Sequence, residues 1–248
     1  MSADEELGQA GEESLATLGG DLSLAAKLLF GAGGVQDTMA EVVRLAVATV
    51  EGCDYAGLFL RESGLVTTAA RTDVLVEAVD ALQHRAGGPC LDAITERAMF
   101  YAEDLEGETR WADFGPMAMA VGLRSILALP LTAHGADAAL NLYARCPNAF
   151  GSIDRAKCAE LASLASLAIS TAHVHEDTER RADNLHAALN SREVIGQAQG
   201  ILMEREGITA NEAFDILRRA SQNLNVKLRE VAQNLVETGE QPDIGTHL

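Results

Sequence analysis

The sequence predicts an α+β domain, an antiparallel sheet flanked by helices, joined by a long helix to an all-α unit of three helices. Three observations predict it. Between residues 54 and 144 short apolar runs come in pairs joined by tight turns, with helices of unequal length between the pairs. That pattern belongs to an antiparallel α+β domain and not to a regular βαβ repeat. From Ile153 to about Asn190 apolar residues recur near a heptad spacing, and the last 58 residues carry three apolar stripes at helical spacing.

Residues 1–20 hold five acids and no base, which reads as a mobile tail. With a short helix over Leu22–Phe30, stopped by Gly31, Gly33 and Gly34, it makes up segment 1–34. From Asp37 a helical pattern runs through Met39, Val42, Val43, Ala46, Val47 and Val50 to Gly52. Asp54–Arg61 and Leu65–Ala70, joined by Glu62-Ser63-Gly64, read as a β-hairpin. Val74–His84 and Leu91–Arg97 read as helices, and Ala98–Ala102 as a strand. Residues 103–124 are mostly irregular, with a small helix around Met117–Val121. Ile126–Thr132 and Ala138–Ala144 form a second hairpin, turned by Ala133-His134-Gly135-Ala136.

The long helix carries a seam of Leu161, Leu164, Ala168, Ala172, His175, Ala182, Leu185 and Leu189. The seam is tight before Ala172 and weak around His175 and Thr178, so the helix packs on the domain at its start and pairs with another helix, or is solvated, further on. Together with the amphipathic Met39–Val50 helix it predicts a homodimer. In the last unit Val194, Ile195, Ala198, Ile201 and Leu202 share one face, and Gly207 ends the run. Thr209-Ala-Asn-Glu212 is a capping box opening a helix with Ala213, Phe214, Leu217, Ala220 and Leu224 on one stripe. Leu228, Val231, Ala232, Leu235 and Val236 make the third stripe.

At 248 residues the chain suits two domains of roughly 100–200 residues each. It is 48% apolar and 4% aromatic, so its cores are built mainly from Ala, Leu, Val and Ile. With 19 basic and 37 acidic residues the net charge is −18. This excludes a broad basic surface for nucleic-acid backbones or anionic membranes. No apolar run approaches the ~18–20 residues of a membrane span, and the acidic N-terminus is the reverse of a secretory signal. Cys53, Cys90, Cys146 and Cys158 show no C-x-x-C spacing and read as reduced thiols. A cytoplasmic protein with no membrane partner is expected.

The C-terminal pattern is Ile195-Gly-Gln-Ala-Gln-Gly-Ile-Leu-Met203, Ala213-Phe214 with Leu217-Arg218, Ser221-Gln222, Asn225, and Leu228 with Val231-Ala232. It resembles an ANTAR domain over the whole three-helix unit, residues 191–248. That resemblance implies binding to paired RNA hairpins in a nascent transcript, which prevents formation of a terminator. Residues 35–172 resemble a GAF domain of the kind that precedes ANTAR in actinobacterial regulators. The resemblance rests on Gly88-Pro89-Cys90, Asp104-Leu105, Arg110-Trp111, Gly122-Leu123-Arg124-Ser125, Pro130-Leu131 and Ala139-Leu140-Asn141-Leu142-Tyr143. It implies a sensor that holds a small ligand between the sheet and its covering loops, with residues 173–190 as a helical linker to the effector.

Helical geometry, at about 100° per residue, sorts the effector faces without the family. Arg192, Gln199 and Met203 lie together on the first helix; Asn211, Asp215, Arg218 and Gln222 on the second; Lys227 and Arg229 flank the first turn of the third. Residues 191–236 hold six bases and six acids, a neutral effector on an acidic body. The expected RNA-binding set is Arg192, Gln199, Met203, Arg218, Gln222, Asn225, Lys227 and Arg229, since amides, guanidinium groups and an exposed methionine suit splayed bases in RNA loops. Each is also what an ordinary solvated helix face presents. Some family members carry a base where this chain has Gln199.

In the sensor, Cys90, Arg110 and Trp111 are the candidate ligand residues. Cys90 begins a helix, where a thiol is acidified, but a small buried side chain is the usual fate of a free cysteine; Arg110-Trp111 suits a packing anchor as well. His173-x-His175 on a helix points its rings about 200° apart, so no metal is expected. No G-x-x-x-x-G-K-[ST] loop and no G-x-S-x-G elbow is present, and no enzyme is expected. Two rival readings stay open: a helix-turn-helix DNA regulator, from Glu206-Gly-Ile-Thr209 between two helices, and a signalling module whose last unit binds protein. Against DNA, Glu212 and Asp215 beside Arg218 suit a major groove poorly.

Overall fold

The computed structural model describes residues 22–62, 65–133 and 136–240. The expected acidic tail, and the turn residues 63–64 and 134–135, lie outside them. Residues 22–30 form α1, followed by α2 (Val35–Thr49), β1 (Tyr55–Glu62), β2 (Leu65–Arg71), α3 (Val74–Ala86), α4 (Pro89–Glu96) and β3 (Phe100–Ala102). Then come α5 (Phe114–Ala120), β4 (Ser125–Ala133), β5 (Ala136–Ala144), α6 (Ser152–Glu206), α7 (Ala210–Leu224) and α8 (Leu228–Thr238). The residues fall into two compact units that divide between Glu176 and Asp177.

The first unit is built on a five-stranded sheet in the order β2-β1-β5-β4-β3, with every neighbouring pair antiparallel. Both faces are buried, which is why β4 reads as a nearly continuous apolar run. Alternation along each strand decides which face a side chain serves. Leu58, Leu129, Leu140 and Leu142 pack with α1, α2 and the start of α6. Their neighbours Phe59, Ile126, Ala139 and Tyr143 point to the side covered by α3, α4 and α5. Gly57 lets α3 lie close on β1: a Cβ there would sit 2.3 Å from Val76 Cγ1.

Four differences from the sequence reading have a cause in the structure. β3 starts at Phe100 and not at Ala98, because continuing its ladder would set Ala98 opposite Pro130, which has no N–H to donate. α5 starts at Phe114, three residues before Met117; Pro116 falls in its first turn, where a missing N–H costs nothing. α2 begins at Val35 because a carboxylate distant in sequence caps it. Its N-cap, Gly34, supplies no side chain, and Glu176 Oε1 of α6 accepts from the Val35 N–H at 2.8 Å.

The fourth difference is the largest. The expected linker and the first effector helix are one uninterrupted helix, α6, of 55 residues. Asn190-Ser191 can cap a helix as readily as continue one, but Ser191 Oγ donates back to the Ala187 carbonyl at 2.7 Å inside the helix. With no Gly or Pro between 152 and 195 to end it, the helix runs on to Glu206. The predicted seam divides as its composition implies. Leu161 and Ala168 are buried and Leu164 and Ala172 half-buried, whereas residues 181–190 are exposed throughout.

Candidate functional site

The second unit packs the end of α6 with α7 and α8 around Ala198, Leu202, Ala213, Leu217, Ala220, Val231, Ala232 and Leu235. α7 starts with the predicted capping box: Thr209 and Glu212 satisfy each other's amides, and those bonds hold the Glu212 carboxyl below its ordinary pKa. Asn225 closes α7 in a left-handed conformation (φ 52°), a role that suits asparagine, and Lys227 is the N-cap of α8.

Phe214 and Leu224 depart from the stripe assigned to them. They are 38% and 51% exposed, and the α7 core consists of Ala213, Leu217 and Ala220 at steps of four and three. Phe214 lies one turn before Arg218, hence on the same flank. Their flank therefore carries an aromatic ring, a guanidinium held by Asp215 at 2.9 Å, and an exposed Gln222. The signal for this was present in the sequence, since the 213, 217, 220 spacing is complete without Phe214.

Arg192, Met203, Lys227 and Arg229 are exposed as well, Met203 at 38%. Gln199 is tied down: its amide donates to the Ala210 carbonyl at the start of α7, at 3.0 Å, so part of its hydrogen-bonding capacity is structural. Arg229 is brought to α6 across a groove of about 310 Å³ that Asn190, Ser191, Val194 and Gln233 also line. The set thus divides into an α6 face (Arg192, Gln199, Met203), an α7 flank (Arg218, Gln222 and the unforeseen Phe214) and a group around the α7–α8 corner (Asn225, Lys227, Arg229).

In the first unit the covered face of the sheet contains a buried polar cluster. Asp80 of α3 accepts from Tyr143 Oη at 2.5 Å and from Thr68 Oγ1 at 2.7 Å. Gln83 donates to Tyr143 Oη at 3.2 Å and accepts from the Cys90 N–H at 2.8 Å. Burial raises the Asp80 pKa to about 6 against the lowering effect of its bonds from Tyr143 and Thr68, and among the described residues the Oδ1 of buried Asn141 has no hydrogen-bond partner.

Residues 32–170 match the GAF domain family, and residues 183–236 match the ANTAR domain family. This is a GAF–ANTAR protein. Its fold is similar to that of the GAF domain of a phosphoenolpyruvate-protein phosphotransferase from Acinetobacter, at 14% identity and a TM-score of 0.50, over 65% of this chain and 98% of that one. It is similar also to a free methionine-R-sulfoxide reductase from Neisseria meningitidis solved with its substrate, at 15% identity and a TM-score of 0.50, over 62% of this chain and 89% of that one. At these identities the likeness is one of fold. No curated protein matches the chain. GAF and ANTAR are both regulatory domains, and among the described residues no helix is long and apolar enough to cross a membrane.

Within the GAF domain Cys90, Arg110 and Trp111 play different parts. Trp111 is a buried anchor whose Nε1 donates to Asp92 at 2.7 Å. Arg110 stacks 4.4 Å over that indole and donates to Glu108 and the Tyr101 carbonyl at the surface. Cys90 sits at the start of α4, yet burial raises its pKa well above the ordinary thiol value and outweighs any helix-dipole effect. Cys53 and Cys158 are likewise pushed up to about 12, and Cys146 alone is exposed. A thiol-titrating disulfide reagent should therefore modify one cysteine per folded chain. Rapid modification of two or more would show that at least one of the buried thiols is reachable.

Proposed function

We propose that this GAF–ANTAR protein is a cytoplasmic RNA-binding transcription antitermination regulator. Its ANTAR domain binds paired hairpins in a nascent transcript and prevents the terminator from forming, and its GAF domain controls that binding in response to a signal. The observation that carries the RNA reading is the exposed flank of α7, where Phe214, Arg218 and Gln222 stand together in a stretch, residues 191–236, of net charge zero within a chain of −18. An aromatic face, a guanidinium plane and an amide are the groups that stack on and hydrogen-bond to unpaired bases. Arg192, Gln199, Met203, Asn225, Lys227 and Arg229 complete the surface.

Gel shifts with a two-hairpin RNA and with duplex DNA of equal length test the reading. Selective RNA binding supports it, selective duplex binding replaces it with a helix-turn-helix regulator, and binding to neither leaves a protein-docking module. Read-through of a terminator in a purified transcription reaction then tests antitermination.

The protein acts as a homodimer. Leu167, Leu185 and Leu189 of α6 are 59%, 62% and 53% exposed at steps of eighteen and four residues, which sets them on one helical face that a second helix would cover. Sedimentation at micromolar concentration should give twice the chain mass, and Leu167→Glu with Leu185→Glu should return it to one. A monomeric parent with and without RNA rejects the dimer.

A further inference from the structure

Early termination of β3 leaves an opening in the GAF domain. The β3·β4 ladder has three residue pairs, although β4 is nine residues long. Beyond Ala128 the outer edge of β4 offers no further strand register: Pro130 has no N–H, and the Thr132 N–H is taken by Ser166 Oγ at 3.2 Å. On the other side of the gap, Arg97 ends α4 in a left-handed conformation (φ 53°, ψ 40°) and Met99, 41% exposed, leads into β3. Between them is a cavity of about 500 Å³, within the ~300–1,000 Å³ of small-molecule sites.

Its lining mixes apolar side chains, Ile94, Met99, Leu131 and Ala162 among them, with the hydroxyls of Thr132, Ser163 and Ser166, and its charged groups are Arg97 and Asp137. Asp137 accepts from Arg61 at 2.9 Å, whereas the Arg97 guanidinium stands 3.7 Å away and its side chain is 82% exposed. Two cations face one carboxylate, a surplus of one positive charge in a strongly acidic protein. Arginine is also held at a left-handed position that glycine adopts freely, so the strain accompanies a side chain aimed at the cavity mouth.

We propose that this cleft binds a small monocarboxylate with an apolar body, the carboxylate on Arg97 and the body against Ile94, Met99, Leu131 and Ala162. A guanidinium fork matches a carboxylate, and a single surplus charge beside Asp137 suits a monoanion better than a phosphate dianion. An added β-strand is disfavoured by the missing and occupied donors of β4. The site lies within residues 94–166 and is independent of the RNA reading, which concerns residues 192–229.

The test uses the full chain with ¹³C-methyl methionine, titrated with sodium octanoate and separately with 1-octanol. Octanoate should shift the Met99 resonance, assigned with Met99→Leu, saturably, and octanol should bind at least tenfold more weakly. Arg97→Gly, which fits the left-handed backbone and so folds, should lower octanoate affinity at least tenfold, and Ser163→Phe should block both probes. An unmoved Met99 resonance, equal affinity for acid and alcohol, or undiminished octanoate binding by Arg97→Gly would overturn the proposal.

Discussion

Leu217→Ala lowers the stability of the ANTAR domain by about 2–5 kcal/mol, while Phe214→Ala, three residues earlier on α7, costs less, about 1 kcal/mol. The contrast follows from exposure: Leu217 is fully buried, one of eight core side chains, and Phe214 is 38% exposed outside that core. A unit this small has little stability in reserve, so the Leu217 cavity removes a large part of it, and RNA binding falls with the fold. Phe214→Ala should weaken RNA binding with the domain still folded. Arg218→Ala should do the same, since its exposed pair with Asp215 contributes little to stability. Calorimetric melting of the full chain, set beside RNA gel shifts, separates the two effects. Equal thermal losses in the Leu217 and Phe214 variants would mean that the α7 faces are misassigned.

The second large effect is a pH dependence centred on Asp80. Its pKa rises from 3.8 to about 6 on folding, chiefly through burial. The native state therefore binds a proton more tightly than the unfolded chain, and the contribution is fullest below about pH 4 and lost as pH rises through 6. A shift of this size amounts to about 3 kcal/mol. Asp80→Asn removes the titrating group but keeps an acceptor for the Tyr143 hydroxyl, so the variant should gain on the parent between pH 4 and 6 and hold that gain above. Urea unfolding at a series of pH values reads the difference directly, because the other carboxylates are common to both proteins. A difference that does not change with pH would place the Asp80 carboxyl at its ordinary pKa.

The sheet and effector helices were legible in the sequence because their signals are local. Short apolar runs paired across tight turns fix β1, β4 and β5, and the Thr209–Glu212 pair fixes the start of α7. What escaped local reading depended on residues far apart. Pro130 shortens β3 from the neighbouring strand, and Glu176 starts α2 from 141 positions away. Ser191 looks like a boundary and is satisfied within the helix. Phe214 was drawn into the apolar stripe by its hydrophobicity, although its angular position sets it on the flank with Arg218. Cys90 is buried, the usual fate of a free cysteine that the sequence already suggests, and burial outweighs its place at a helix start.

The carboxylate of Glu176 over the start of α2 has a consequence for how this sequence can drift. Gly34 has an extended backbone that any residue adopts, and nothing local demands glycine there. A Cβ at position 34 would nonetheless sit 2.6 Å from Glu176 Oε1. An alanine would push the carboxylate aside and leave the Val35 amide uncapped. Positions 34 and 176 are thus expected to change together across descendants of this chain, a side chain at 34 arising only with a shorter or withdrawn acid at 176. A glycine that looks like idle loop is in effect inherited jointly with a residue at the far boundary of its domain.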